Sequence, residues 1–263
     1  MRRALGTRRV GHTGTLDPFA SGLLIVLVGR ATRLARFLVG LPKCYTGTIQ
    51  LGVETDTDDR TGTVTANSDD WRSVSDTAIS DAMTALKGRV QQQPPPFSAK
   101  KLAGERAHRL ARRGKPVDLQ PREVEVGEFA LMGREGPLMH FAAQVSSGTY
   151  LRALARDLGA ALRCGAHLHQ LRRTAVGPFR VEDAVAPEAV DRQRTPIHAP
   201  REAVQHLPTF ELNDELRGKV VHGQPVPAAD AVDDPVALVA HGRLVAVAER
   251  QGDLFKPRVV LEA

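Results

Sequence analysis

The octapeptide GHTGTLDP, residues 11–18, holds a single acidic side chain, Asp17, against a proline. Small and turn-forming residues make this stretch a poor helix and a poor strand, so it reads as an ordered loop. Pro18 pushes the residue before it into an extended conformation, which fixes the backbone of Asp17 and limits where its carboxylate points. An aspartate with an ordinary pKa near 3.9 is ionised at neutral pH, so a carboxylate held this way can act as a nucleophile without a partner base. On these residues alone Asp17 could equally be a turn cap, since Asp favours turns on its own account.

Three other clusters bear on chemistry. TDTDDRTG (55–62) has the acidity of a calcium loop, but Arg60 and Thr61 stand where an acid or amide and a glycine are required, so it reads as a turn. His167 and His169 alternate as on a strand and find no third ligand nearby in sequence, and no metal is assigned to them. PFSAKKLAGERAHRLARRGK (96–115) sets Lys100, Lys101, Arg106, Arg109, Arg112, Arg113 and Lys115 against one acid, Glu105. A charge run is usually a solvated face, but an excess this one-sided suits contact with phosphate.

The elements that would position these residues alternate along the chain. GLLIVLVG (22–29) reads as a buried strand, and Leu34, Phe37, Leu38 and Leu41 at helical spacing place a helix after it. CYTGTIQLG and GTVTAN bracket the acidic turn as a hairpin. SDTAISDAMTALKG carries a Ser/Asp start, apolar residues at Ile79, Ala82, Met83 and Leu86, and a closing glycine, which are helix signals. REVEVGEFALM and LMHFAAQVS follow as two strands, and TYLRALARDLGAALRCG is the best amphipathic helix of the chain. Strands and helices mix without a regular strand-helix-strand repeat, which favours an α+β fold over a doubly wound sheet. Around residues 185–208 four prolines and few apolar runs mark a domain boundary, and VALVAHGRLVAVAERQGDLFKPRVVL then supplies short β-rich runs. A small β domain of roughly 55 residues fits there.

The chain has 263 residues, 42% of them apolar, enough for a sizeable core in one large domain or a large domain plus a small one. Its formal net charge is +6 and its sequence pI is near 9.7, which makes nucleic acid the leading partner class; plain solubility is the alternative. Neither a leader peptide nor a run of about eighteen apolar residues is found, so the expected compartment is the cytoplasm. Cys44 and Cys164 are far apart and lack a Cys-x-x-Cys partner, so both read as buried thiols and not as a disulfide framework or zinc cluster.

GHTGTLDPFASGLLIVLVGRATRL closely resembles the catalytic segment of the TruB family of pseudouridine synthases. The resemblance continues through KCYTGTIQLGVETDTDDRTG, PPPFSAKKLAGERAHRLARRG, SSGTYLRALARDLG and CGAHLHQLRRTAVGPF, in the family's order, over residues 1 to about 180. It implies the pseudouridine synthase fold, a mixed and mainly antiparallel sheet flanked by helices, over residues 1–190. A basic RNA-clasping segment at about 94–117, a linker at 191–206 and a PUA-like RNA-binding domain at 207–263 complete the expected organisation. The implied reaction isomerises uridine to pseudouridine at position 55 in the T loop of tRNA, by base flipping. Substrate and product share one composition, so neither redox chemistry, metal nor cofactor is expected.

The resemblance also assigns roles. Asp17 is the nucleophile, Tyr45 stacks on the flipped base, and His12, Tyr150, Arg152 and Leu171 contact the substrate, with Arg152 pairing to Asp17 or to phosphate. Two residues apart on one helix Tyr150 and Arg152 would diverge, so they are expected where a strand passes into the helix. Lys100, Lys101, Arg106, Arg109, Arg112, Arg113, Arg172 and Arg173 are expected on the RNA backbone. The expected partner is the T arm of tRNA, bound by a monomer without metal or membrane.

Two departures from the family pattern stand out. Family members carry a strand with a Lys-Pro motif and a helix leading into the Gly-His loop, whereas here Met1 stands ten residues before Gly11: either the start is placed too far downstream or the chain is truncated, and a missing strand is expected to expose a sheet edge and loosen the catalytic loop. Phe97 replaces the usual tyrosine, losing the hydroxyl and keeping the ring. Two alternatives remain at this level: a catalytically weak RNA-binding or tRNA-folding protein, and a relative of the guide-RNA-dependent rRNA enzymes. Retention of Asp17, Tyr45, Tyr150 and Arg152 together favours the tRNA isomerase, because phosphate binding alone demands none of that set.

Overall fold

The structure, a computed structural model, describes residues 1–95, 97, 101–102, 105–106, 113, 119–191, 193–229 and 232–262. It divides into two compact units, Leu16–Leu23 with Leu41–Glu182, and Met1–Thr15 with Leu24–Gly40 and Asp183–Ala263.

The first unit is built on a seven-stranded sheet. Its strands run Phe179–Arg180, Ala166–Val176, Lys43–Leu51, Leu138–Val145, Arg122–Glu135 and Gly88–Gln92, all antiparallel, and Ser21–Gly22 adds in parallel to Ala166–Val176. Alternation along the strands sends Tyr45, Ile49, Met139, Phe141 and Leu171 into one core. Two helices close that core. Helix Asp76–Ala85 starts at Ser75, whose side chain accepts the Ala78 N–H, and buries Ile79 and Met83. Helix Leu151–Ala161 buries Leu154, Ala155 and Leu158. It comes so close to the sheet that a Cβ on Gly159 would stand 2.3 Å from the Ala166 nitrogen, so only glycine fits there.

The α+β arrangement follows the expectation, and three local readings need correction. GLLIVLVG is not one strand: Ser21–Gly22 joins the large sheet, while Val26–Val28 pairs with Val10–His12. Gly22 sits at φ 105 where a Cβ would come within 2.2 Å of the Arg173 carbonyl oxygen, and this left-handed turn ends the first strand. The helix expected after it begins as a 3-10 turn, Gly29–Leu34, and is α-helical only over Ala35–Val39. The acidic hairpin is made by Val53–Thr55 and Val64–Asn67, because Lys43–Leu51 has both edges occupied in the large sheet.

The second unit carries a five-stranded sheet in the order Thr209–Glu211, Val236–Ala240, Arg243–Gln251, Leu254–Val260, Val226–Pro227. Strand VALVA is apolar at every position because both faces are covered. Val236, Leu238 and Ala240 pack with Val220, Val245 and Phe255, and Ala237 and Val239 pack with Leu34, Val204 and Val247. Leu34 therefore belongs to this core, and Arg30 and Arg33 tie the same segment down by donating to the carbonyls of Leu261 (3.0 Å) and Val260 (2.7 Å). Part of the N-terminal chain, Leu24–Gly40, thus clusters with the C-terminal segment, and its Leu34 completes that core. No helix among the described residues is long and apolar enough to cross a membrane.

Candidate active site

Asp17 sits on a loop tied to the large sheet at several points. Its carbonyl accepts the Ala20 N–H at 2.9 Å, and Phe19 packs against the core. Ser21 and Gly22 then lie in register with Arg172 and Arg173. The Leu23 N–H donates to the Arg173 carbonyl at 2.8 Å, and Arg173 Nε donates back to the Leu23 carbonyl at 2.7 Å. A rigid scaffold thus delivers a carboxylate whose side chain remains 34% exposed.

Arg152 holds that carboxylate. Nε donates to Asp17 Oδ2 at 3.0 Å and Nη2 to Oδ1 at 3.1 Å, a two-pronged pair that fixes both position and rotation of the carboxylate. The remaining guanidinium directions are occupied too: Nη1 donates to the Thr57 carbonyl at 3.0 Å and Nη2 to the Phe97 carbonyl at 3.0 Å. Asp59 Oδ2 stands 3.5 Å from Nη1. With its side chain only 5% exposed, Arg152 has lost most of its water, and these partners replace it. The direct passage of a strand into the helix expected at this pair is not found: after strand Leu138–Val145 a turn at 146–149 intervenes, Tyr150 is the extended residue before the helix (φ −99, ψ 111) and Arg152 lies in the first helical turn.

The acidic hairpin, read from sequence as a turn and nothing more, supplies this support. Asp59 is buried, and its Oδ1 accepts from Thr57 Oγ1 at 2.9 Å, the Thr61 N–H at 2.9 Å and Thr61 Oγ1 at 2.5 Å. Those donors leave Oδ2 to face Arg152. Asp58, at φ 59, is held by Arg156 Nη1 at 3.0 Å; burial pushes its carboxyl up, and the Arg156 and Arg152 charges oppose the rise. The signal available in sequence was three acids interleaved with three threonines in a tight turn, which fits an internal hydrogen-bond cage.

Tyr45 lies on the central strand, opposite Ala143 on one side and Arg173 on the other. Burial pushes its hydroxyl above the ordinary value of 10.0; Arg173, which hydrogen-bonds it, opposes the rise, and the Asp17 charge adds to it. The phenol is therefore neutral near pH 7, as a stacking ring should be. Leu171, two residues before Arg173, is 7% exposed in the same cluster as Tyr45. Asp17, Arg152, Tyr45 and Leu171 are thus brought into one unit with Tyr150.

His12 belongs to the other unit, exposed at the end of Val10–His12, where its Nδ1 accepts the Gly14 N–H at 3.4 Å. Of the residues expected on the RNA backbone, Arg172 is exposed, whereas Arg173 is 2% exposed and spent on Leu23 and Tyr45. Arg173 is an internal member of the site, because its strand position turns it under the Asp17 loop. Arg113 lies exposed in a turn. Lys101 and Arg106 pair across two two-residue strands, and Lys100, Arg109, Arg112 and Lys115 lie outside the described residues.

His167 Nδ1 meets the Val53 carbonyl at 2.9 Å, and burial, His167 and Arg60 push His169 below its ordinary value. Among the described residues no group of three or more His, Cys, Asp or Glu is placed to hold a metal ion. Cys164 is buried and Cys44 partly so, and both are free thiols.

Comparison with known proteins bears on this geometry directly. A family model described as TruB family pseudouridylate synthase (N terminal domain) matches residues 2–151, and one described as tRNA pseudouridylate synthase B C-terminal domain matches residues 152–203. A protein named tRNA pseudouridine synthase B from Thermobifida fusca is 41% identical over 99% of this chain and 91% of its own length. One of the same name from Corynebacterium efficiens is 40% identical over 96% of this chain and 86% of its own. Among solved structures, an H/ACA RNP bound to a substrate RNA containing 2'-deoxyuridine superposes with a TM-score of 0.72 at 23% identity, covering all of this chain and 79% of that one. A Cbf5-Nop10-Gar1 complex gives 0.72 at 25% identity, covering 98% and 78%. The matched families meet within Leu151–Ala161, the helix that presents Arg152 to Asp17, and together they establish that this chain belongs to the TruB family of pseudouridylate synthases.

Proposed function

We propose that this chain isomerises uridine to pseudouridine at position 55 in the T loop of tRNA, with Asp17 as the nucleophile. The observation that carries the reading is the partly exposed Asp17 carboxylate clamped on two oxygens by a buried arginine, beside a neutral tyrosine. A base inside an RNA stem or loop is out of reach of such a carboxylate, so the nucleotide must be flipped out toward Asp17, with Tyr45 to offer its ring and Leu171 an apolar contact.

The chemistry is an internal exchange of bonds. The glycosidic C1'–N1 bond breaks, the uracil turns, a C1'–C5 bond forms, the C5 proton leaves and N1 gains one. No atom or electron enters or leaves in sum, so the chain's task is to stabilise the charges of the cleaved state and retain the loose base. Arg152 keeps the Asp17 carboxylate aimed before the substrate arrives, which removes the cost of ordering it during the reaction.

Identity of 41% over 99% of the chain to a tRNA pseudouridine synthase B supports a stand-alone tRNA enzyme over the guide-RNA type; the H/ACA RNP and Cbf5-Nop10-Gar1 structures are 23% and 25% identical. The RNA-backbone role of the basic segment at about 94–117 remains part of the proposal, with Arg172 joining it. The test is release of tritium from C5-labelled uridine in a T-arm stem-loop, comparing the 263-residue chain with Asp17→Ala. Release by the parent alone supports the reading. Equal release by both would remove Asp17 from the mechanism, and release by neither while the RNA stays bound would make this an RNA-binding protein.

A further inference from the structure

We infer that Gln92 is a positioning residue for the isomerisation, acting through the main chain of Tyr150. This rests on the reading that Asp17 and Arg152 form the isomerase centre. Gln92 ends strand Gly88–Gln92 at the edge of the large sheet and is 1% exposed. Its Oε1 accepts the Tyr150 N–H at 2.8 Å, and its Nε2 donates to the Tyr150 carbonyl at 3.1 Å. One side-chain amide therefore meets both polar groups of one residue, as a neighbouring strand would.

The residue so held has no side-chain cap of its own. Tyr150 is the N-cap of Leu151–Ala161, extended at φ −99 and ψ 111, and its carbonyl also accepts the first helical N–H, from Leu154 at 3.2 Å. The direction in which the helix leaves is set at this point. Arg152, two residues on, must reach the Asp17 carboxylate and the carbonyls of Thr57 and Phe97, which lie on three separate segments. A tilt of the first helical turn that satisfies one of them loses the others, and errors near 1 Å in such geometry cost on the order of a hundredfold in rate. The Tyr150 ring leaves from the same anchored Cα. Gln92 thus fixes two expected substrate-contact residues without facing the substrate.

The experiment uses the full chain and single-turnover tritium release from C5-labelled uridine in a T-arm stem-loop, with RNA affinity and circular dichroism measured alongside. Gln92→Leu should slow release by about 10- to 100-fold while affinity stays within about twofold. Gln92→Glu supplies the sharper readout. When protonated, its carboxyl offers one acceptor and one O–H donor and can restore both bonds; when ionised it cannot donate to the Tyr150 carbonyl and repels it. Burial raises the pKa of such a carboxyl, so the ratio of variant to parent rate should approach one at low pH and fall as pH rises through that titration. A ratio independent of pH, parent-like rates in both variants, or affinity falling in step with rate would overturn the assignment. Loss of the folded circular dichroism signal by both variants at every pH would make Gln92 a fold residue and would overturn it too. A parent chain without release would sink the isomerase reading itself, whereas an active parent with unmoved Gln92 variants sinks this inference alone.

Discussion

Arg152 and Asp59 face each other at 3.5 Å with side chains 5% and 6% exposed, a charge pair removed from water directly behind the carboxylate that performs the proposed chemistry. Arg152 lies between two aspartates, one buried and one open to solvent, and it is the buried one that keeps the guanidinium turned toward the open one.

Replacing Asp17 by Asn should abolish tritium release and leave affinity for a T-arm stem-loop nearly unchanged. The amide keeps the shape and one acceptor oxygen but is no nucleophile. A parallel loss of affinity would show that Asp17 supports the loop and does not act on the base.

Arg152→Lys should lower the single-turnover rate by about a hundredfold or more, because an ammonium is a point charge and cannot present two parallel N–H groups to Asp17. Arg152→Ala should in addition destabilise the fold by on the order of 3–5 kcal/mol, since Asp59 would be left charged and buried without its counter-charge. Denaturant unfolding and rate measurements on the two variants separate the effects.

Gly22→Ala should reduce activity without touching any charged group. Its Cβ would meet the Arg173 carbonyl oxygen at 2.2 Å from a φ of 105, so the Asp17 loop must shift off the sheet. A stability loss of about 1–3 kcal/mol should accompany the slower rate. Parent-like rates would mean that the loop does not depend on this anchor.

Lys43 gives a pH signature. Burial and the Arg173 charge push its ammonium down from 10.5 to about 8, so between those values the unfolded chain binds more protons than the folded one. Stability contributed by this site therefore rises with pH through that window, and below it the buried charge is a fixed penalty. Lys43→Met should lack the rise; the parent-minus-variant difference in unfolding free energy between pH 7.5 and 10 should be on the order of 1 kcal/mol after screening by nearby water.

Arg109→Ala combined with Arg112→Ala should weaken RNA binding on any sequence and flatten its salt dependence by about one to two units of slope. An unchanged slope would remove that segment from the interface.

The resemblance, and not the pattern of types and spacing, singled out Asp17, Tyr45, Tyr150, Arg152 and Leu171: on pattern alone Asp17 could be a turn cap and Leu171 a core leucine, and the structure places all five in one unit. Ser75 and the Ile79/Met83 spacing made helix Asp76–Ala85 readable, because the local grammar of caps and alternation is strong there. What escaped is what depends on distant partners. No local signal says that Asp59 points at a helix more than ninety positions away, or that Arg173 is turned inward to Leu23 while Arg172 stays out. GLLIVLVG looked like one strand because apolar content is visible in sequence, whereas the left-handed turn at Gly22 is imposed by the close approach of another strand. Leu34 looked like part of a catalytic domain because linear order hides which core a side chain completes.

That last residue limits how the protein can be dissected. Leu34 packs with Val204, Ala237, Val239 and Val247, and the peptide that carries it runs directly out of the loop that carries Asp17. A fragment ending near residue 182 would keep Leu34 and lose every one of those neighbours, and a fragment beginning there would keep the neighbours and lose Leu34. Two modules that look separable on paper are thus stitched by a thread passing back and forth between them, and no single cut yields two intact halves.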